Sequence, residues 1–224
     1  MTIAAVVTAA GLGTRLGYAV PKALVPVAGR PLLAHALDRV TRIADVTIVT
    51  ATAGHERDFA DAVEGRARIV TGGDSRQSSV WAGLQALLAD GLAESDVVMV
   101  HDAARAFMPT GAMREAVAAV EAGADAAVPV VPIVDTLVTA PLADGTYGQG
   151  VDRDGLRAVQ TPQVFRVGAL VAAHRAAPTA TATDDAMLVR ALGHSVVATE
   201  GHPWGLKVTH EADLALAAFI AEQS

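Results

Sequence analysis

A short run of β-branched and small residues, Ile3 to Thr8, ends directly in Ala9-Ala10-Gly11-Leu12-Gly13-Thr14-Arg15-Leu16-Gly17. An apolar run of that length stopped by glycine reads as a buried first strand, and the loop after it is tight enough to need residues without a Cβ. The same kind of run recurs at residues 46–50, 67–70, 96–100 and 126–131. Helical patterns lie between these runs. Pro31 opens one, at a position where proline costs no hydrogen bond, and a second extends from about Thr110 to Glu121. Asp74, with Gln77 three residues on, reads as the N-cap of a third that reaches about Ala89. Strands alternating with helices predict an α/β fold, a Rossmann-like doubly wound and mostly parallel sheet with right-handed crossovers. The composition agrees: hydrophobic residues make up 52% but aromatics only 4%, and small aliphatic side chains suit strands buried on both faces.

From Ile133 to Gln160 the character changes. Residues 133–139 and 156–160 look extended, flank a turn-rich stretch at 143–148, and show no helical period between them. A hairpin-like excursion of this kind cannot bury both faces by itself, which predicts a protruding β-arm covered by a second subunit. Helical pattern resumes near Val167 and again at Asp184, with Met187 and Leu188 as core positions, and Thr209 is placed to cap a C-terminal helix. The chain, 1–224, reads as one domain with an arm over about 133–160.

Several function classes drop out. A formal net charge of −7 argues against nucleic-acid binding, which needs a basic face, but leaves room for a small anionic substrate held by a local cluster of cations. The absence of Cys removes disulfides, thiolate metal sites and Cys nucleophiles. The N-terminal run is too short to span a membrane and lacks the basic flank of a signal peptide, so the expectation is a soluble, cytosolic protein.

Two familiar phosphate loops can be tested against residues 9–17. A Walker loop ends in Gly-Lys-Ser/Thr, a triplet not found here, and the dinucleotide fingerprint needs glycine where Leu16 stands and an acidic residue near Thr50. What remains is a glycine loop carrying a cation at Arg15, with Pro21-Lys22 shortly after. Fixed cations beside a polyphosphate stabilise the charge that grows on its oxygens during attack at phosphorus. Gly72-Gly73-Asp74-Ser75-Arg76, with Ser79 following, would lie at the carboxyl end of the third strand, where open α/β sheets bind ligands. There Asp74 or Ser79 has access to a base or ribose, although Asp74 could serve only as a helix cap. Val100-His101-Asp102-Ala103-Ala104-Arg105 puts a carboxylate at another strand end, suited to the oxygen-seeking Mg²⁺, with Arg105 three residues on facing an anionic acceptor. His101 fits a hydrogen-bonded structural residue better than a catalytic one. His174, His194 and His202 have no metal-like spacing, and Trp81 reads as packing.

Taken together these residues resemble one family, the 2-C-methyl-D-erythritol 4-phosphate cytidylyltransferases of the non-mevalonate isoprenoid route. The resemblance rests on an ordered series. The glycine loop with Pro21-Lys22, Gly72 to Arg76 and Val100 to Arg105 come first, then Asp135-Thr136, Asp152 to Leu156, Thr161-Pro162-Gln163, Thr183-Asp184 and Lys207-Val208-Thr209. It implies a nucleotidyltransferase that moves CMP from CTP to methylerythritol phosphate with Mg²⁺, working as a homodimer with a shared active site. Residue by residue, it implies that Arg15 and Lys22 stabilise the pentacoordinate phosphorus. Ala9, Ala10, Gly11, Leu12, Gly13, Gly72, Asp74 and Ser79 would hold CTP, and Asp102 would bind the metal beside the acceptor. Arg105, Thr136, Arg153, Thr161 and Lys207 would seat the acceptor, with Thr136 and Arg153 reaching in from the other subunit's arm; Arg153 and Lys207 would also act in catalysis. One departure stands out: wider relatives often carry a second metal-binding Asp just before the position of Lys207, where this chain has Glu200-Gly201-His202-Pro203-Trp204-Gly205-Leu206. A ribitol 5-phosphate cytidylyltransferase and a catalytically silent nucleotide-binding protein on the same fold are the competing readings.

Overall fold

The computed structural model describes all residues except 12–16, 19, 141–143, 179–183 and 224. Leu12, Gly13, Arg15 and Thr183 therefore lie outside the described residues. The strand β1 (Ile3–Thr8) sits in the middle of the sheet, parallel to β4 (Val46–Ala51) on one side and to β6 (Val97–Asp102) on the other. Beyond β4 lies β5 (Arg68–Thr71), also parallel. The path across the sheet is β10-β7-β11-β6-β1-β4-β5, with β12 (Val196–Glu200) paired parallel to β7 (Ala126–Pro132). In it β11 (Gln163–Arg166) and β10 (Arg157–Val159) run antiparallel to their neighbours.

Alternate residues of β1 serve opposite layers. Ala5 and Val7 join a core with Leu33 and Leu37 of α1 (Leu32–Val40), Phe59 of α2 (Glu56–Val63) and Met113 of α4 (Thr110–Glu121). Ala4 and Val6 join a second core with Val80 and Leu84 of α3 (Arg76–Ala89), Leu170 of α5 (Val167–Ala176) and Val189 of α6 (Asp185–Ala191). This two-sided burial follows from the side-chain period of a strand, and each fully buried Val or Leu stabilises the fold by roughly 1.5–3 kcal/mol. A third cluster packs Ile220 of α7 (Glu211–Gln223) on Leu32, Phe107 and the short hairpin of β2 (Pro26–Val27) and β3 (Arg30–Pro31).

Local details differ from the sequence expectation. Ser75, not Asp74, caps α3: its hydroxyl accepts from the Ser78 N–H at 3.0 Å and Ser78 Oγ accepts from the Ser75 N–H at 2.9 Å. Both residue types make good caps, and Ser75 is the one whose oxygen reaches the first turn. At the C-terminal helix the Thr209 hydroxyl donates to the Lys207 carbonyl at 2.9 Å instead of capping, and Asp213 in the first turn accepts from the N–H groups of Thr209 and His210 at 2.7 and 2.8 Å. Met187 is 54% exposed rather than core. In the 133–160 region β8 (Leu137–Val138) pairs with β9 (Gly150–Val151), while the returning segment β10 joins β7 of the main sheet instead of closing the hairpin.

Candidate active site

The strand order reverses at β1: the chain steps to β4 and β5 on one side, then returns to place β6 on the other. In such a sheet the carboxyl ends of the two diverging strands leave a crevice for a ligand. Thr8 and Asp102 end those strands as register partners. A cavity of about 250 Å³ opens there, and its wall includes Ala9, Ala10, Gly11, Lys22, Asp74, Ser79, Asp102 and Lys207.

Glycine is required where the third strand turns into α3. A Cβ built on Gly72 would stand 2.8 Å from both Ala10 Cβ and Ser79 Oγ, so this backbone lies directly against the first loop. The Gly72 N–H donates to the Ala51 carbonyl at 2.8 Å, and the Gly73 N–H donates to Ser79 Oγ at 3.1 Å. Ser79 is buried and donates its own proton to the Ser75 carbonyl at 2.8 Å, which shapes the turn. Asp74, relieved of capping, is exposed at the cavity rim.

Asp102 is the best-held group in the cavity. Its Oδ1 accepts from Arg76 Nε at 3.0 Å and from Thr8 Oγ1 at 3.2 Å, and its Oδ2 accepts from Lys207 Nζ at 2.7 Å. Burial works against its charge, but the adjoining Arg76 and Lys207 outweigh that and hold the carboxyl well below the usual range. Its main-chain N–H donates to Thr161 Oγ1 at 3.1 Å, and that hydroxyl also lies 3.0 Å from His101 Nδ1. His101 is fully buried, and burial pushes its pKa down to about 4, so it is neutral at pH 7.

Apart from Gly72, which borders the first loop, the predicted residues among those described divide into three groups. Ala9, Ala10, Gly11, Lys22, Asp74, Ser79, Asp102 and Lys207 meet at the cavity. Thr161 and Arg105 stand behind it. Thr161 is buried against the Asp102 backbone, and Arg105 donates to the carbonyls of Gly205 and Val159 at 2.8 and 3.0 Å. Thr136 and Arg153 are exposed on the arm and off the wall of this chain's own cavity, Arg153 donating to the Val134 carbonyl. Sequence reasoning gave no role to Arg76 or Thr8. Thr8 was legible as the last residue of β1, but the reach of Arg76 to Asp102 depends on tertiary structure.

With no Cys in the chain, thiolate ligands are excluded, and any metal site draws on carboxylate, carbonyl or imidazole donors. Among the described residues no three His, Asp or Glu side chains cluster as a cage. A single strand-end carboxylate still fits Mg²⁺, which keeps several waters and takes further ligands from substrate phosphates. The Lys207 side chain on Oδ2 is 44% exposed, with space to move away from that oxygen.

Residues 3–223 match the family model described as IspD: 2-C-methyl-D-erythritol 4-phosphate cytidylyltransferase. A 2-C-methyl-D-erythritol 4-phosphate cytidylyltransferase of Saccharopolyspora erythraea is 44% identical, the match covering 97% of this chain and 98% of that protein. A bifunctional enzyme IspD/IspF of Rhizorhabdus wittichii is also 44% identical, over 95% of this chain but 54% of its own length. The chain thus spans about half the length of the bifunctional relatives and nearly all of the S. erythraea protein. The crystal structure of 2-C-methyl-D-erythritol 4-phosphate cytidylyltransferase from Thermus thermophilus superposes with a TM-score of 0.82 at 36% identity, covering 99% of this chain and 100% of that one.

Proposed function

We propose that this chain, which belongs to the 2-C-methyl-D-erythritol 4-phosphate cytidylyltransferase family, transfers CMP from CTP to methylerythritol phosphate. The products are 4-diphosphocytidyl-2-C-methyl-D-erythritol and pyrophosphate. The observation that carries this reading is the cavity at the β1–β6 switch point, where Lys22 and Lys207 share a wall with a glycine-bordered backbone and the ionised Asp102.

An oxygen of the acceptor phosphate attacks the α-phosphorus of CTP, a new P–O bond forms, the bond to the α–β bridging oxygen breaks, and pyrophosphate leaves with the electron pair. A phosphate monoester is already anionic at neutral pH, so the step needs no general base. The barrier falls through orientation and through cations facing charge that grows in the transition state. In this reading Arg15 and Lys22 face the reacting phosphorus. The backbone around Ala9, Ala10, Gly11, Leu12, Gly13 and Gly72, with Asp74 and Ser79, holds CTP. Asp102 holds Mg²⁺, which when bound supplies positive charge against the triphosphate and the departing pyrophosphate.

Lys207, Arg105 and Thr161 belong to the acceptor side, together with Thr136 and Arg153 of a second subunit's arm. The arm exposes Val134, Tyr147, Val151, Leu156 and Val159, an apolar run that supports a homodimer covering it. We take residues 1–224 as one nucleotidyltransferase domain with an arm over 133–160. Both substrates are water-soluble anions, which supports a reaction in the cytosol; among the described residues no helix is long and apolar enough to cross a membrane.

The test is pyrophosphate release from CTP with methylerythritol phosphate or ribitol 5-phosphate as acceptor. Release with methylerythritol phosphate far above that with ribitol 5-phosphate is expected. Turnover of ribitol 5-phosphate alone, or of neither by folded protein, would refute the assignment.

A further inference from the structure

Arg76 is the first residue of α3, at the helix end where the macrodipole disfavours a cation. Two buried carboxylates offset that. Its Nε lies 3.0 Å from Asp102 Oδ1 and its Nη1 lies 2.6 Å from Asp185 Oδ2. Asp185, the first residue of α6, is 1% exposed and off the cavity wall. Its other oxygen lies 3.0 Å from Nε2 of the buried His174 in α5. Its own N–H donates to Gln163 Oε1 at 3.2 Å, and the His174 ring stacks on Trp81 of α3. A continuous polar line therefore runs from α5 through α6 and α3 to the carboxylate in the cavity.

The guanidinium is planar and rigid, so fixing one of its donors on Asp185 fixes the direction of the others. Arg76 brings one side of Asp102 to rest, and Lys207, on an exposed and flexible stem, meets the other. We infer that Arg76 is a positioning residue for CMP transfer, its guanidinium anchored by Asp185 and His174 so that the Asp102 carboxylate keeps one orientation at the cavity. This rests on the reading of Asp102 as a working group of the site. A purely structural network would instead serve only to clamp α3, α5 and α6 together.

The two roles separate in a double-mutant cycle. Asp185→Asn keeps the shape of the side chain and removes the charge, at a residue that no substrate reaches. It is expected to lower kcat by about three- to tenfold with little change in KM for CTP, the size typical of coupling through a contact network. Arg76→Lys, a point charge unable to bridge both carboxylates, should lower kcat at least as far. The double variant should then be no slower than Arg76→Lys alone, because one change has already broken the line. Should Asp185→Asn fail to fold, His174→Phe, which keeps the stack on Trp81 and removes the donor, enters the same cycle. A lowered melting temperature with unchanged kcat in the folded variant, or effects that multiply in the double variant, would overturn the inference. Asp102→Asn measured alongside separates this from the site reading. Full activity there removes both, whereas an inactive Asp102→Asn beside an unimpaired Asp185→Asn overturns the role of Arg76 alone.

Discussion

Lys207 Nζ stands 2.7 Å from Asp102 Oδ2, so the cation assigned to the acceptor and the carboxylate assigned to the metal neutralise each other across the cavity. Asp102→Asn leaves Lys207 and Arg76 facing a neutral amide and removes the strand-end carboxylate from the cavity wall. The expected outcome is a fall in kcat of roughly 10²-fold or more, with a weakened dependence on Mg²⁺. Pyrophosphate release across a Mg²⁺ titration measures both. Full turnover by the parent protein in excess chelator would contradict the metal assignment.

Gly72 tests how the first loop is held. A methyl group added there meets Ala10 Cβ and Ser79 Oγ at 2.8 Å and the Ala51 carbonyl oxygen at 3.2 Å, so the loop must shift. Overpacking of this kind costs about 1–3 kcal/mol. Gly72→Ala should lower the melting temperature and raise KM for CTP several-fold. An unchanged KM for CTP would show that the shifted backbone is not part of the nucleotide site.

The arm is testable by mixing. If Thr136 and Arg153 act in the partner's cavity, inactive Arg153→Ala and inactive Lys22→Ala subunits should regain activity together, because hybrid dimers contain one site with a full set of residues. Exchange is followed by mass-tagged subunits. No recovery after demonstrated exchange would count against a shared site.

Stability should fall in mild acid. Burial holds His101 near a pKa of about 4 against an ordinary value of 6.5, and burial also lowers His35, opposed by its hydrogen bond to the Val27 carbonyl. The unfolded chain then binds protons that the native chain refuses, so stability is complete above about pH 6.5 and is lost as pH falls toward 4. For His101 alone the loss is on the order of 3 kcal/mol over that window. Denaturant titrations at pH 7, 6 and 5 should show a falling midpoint; a flat profile would mean that His101 is not neutral in the native state.

Much of the fold was legible because its signals are local. The β-branched run at Ile3–Thr8 ends where glycine begins, and the α4 boundaries follow from Pro109 and from Gly123 beyond its end. Asp102 was legible as a carboxylate at the end of an apolar run. The pairing of β8 with β9 was not, since two-residue strands take their register from the surrounding structure. The cap of α3 was misplaced by one residue because Asp74 and Ser75 are equally good cap formers and only geometry chooses between them. Arg76 meets Asp185 across 109 residues of chain, a contact with no local signature, and so Arg76 read only as part of a motif. The bonds from the Arg105 guanidinium to the Gly205 and Val159 carbonyls join segments 100 and 54 residues away, so they too have no local signature.

In the proposed reaction the cavity lowers the barrier by meeting charge that grows at the α-phosphorus, rather than by attracting CTP more strongly. Lys22 lines that cavity and is assigned to this charge, so the most direct measurement is the steady-state kinetics of Lys22→Ala, once its fold is confirmed. Lys22→Ala should lower kcat by roughly 10²-fold or more with a smaller change in KM for CTP. An unchanged kcat with only a raised KM for CTP would make Lys22 a ground-state anchor and remove it from the stabilisation of the growing charge.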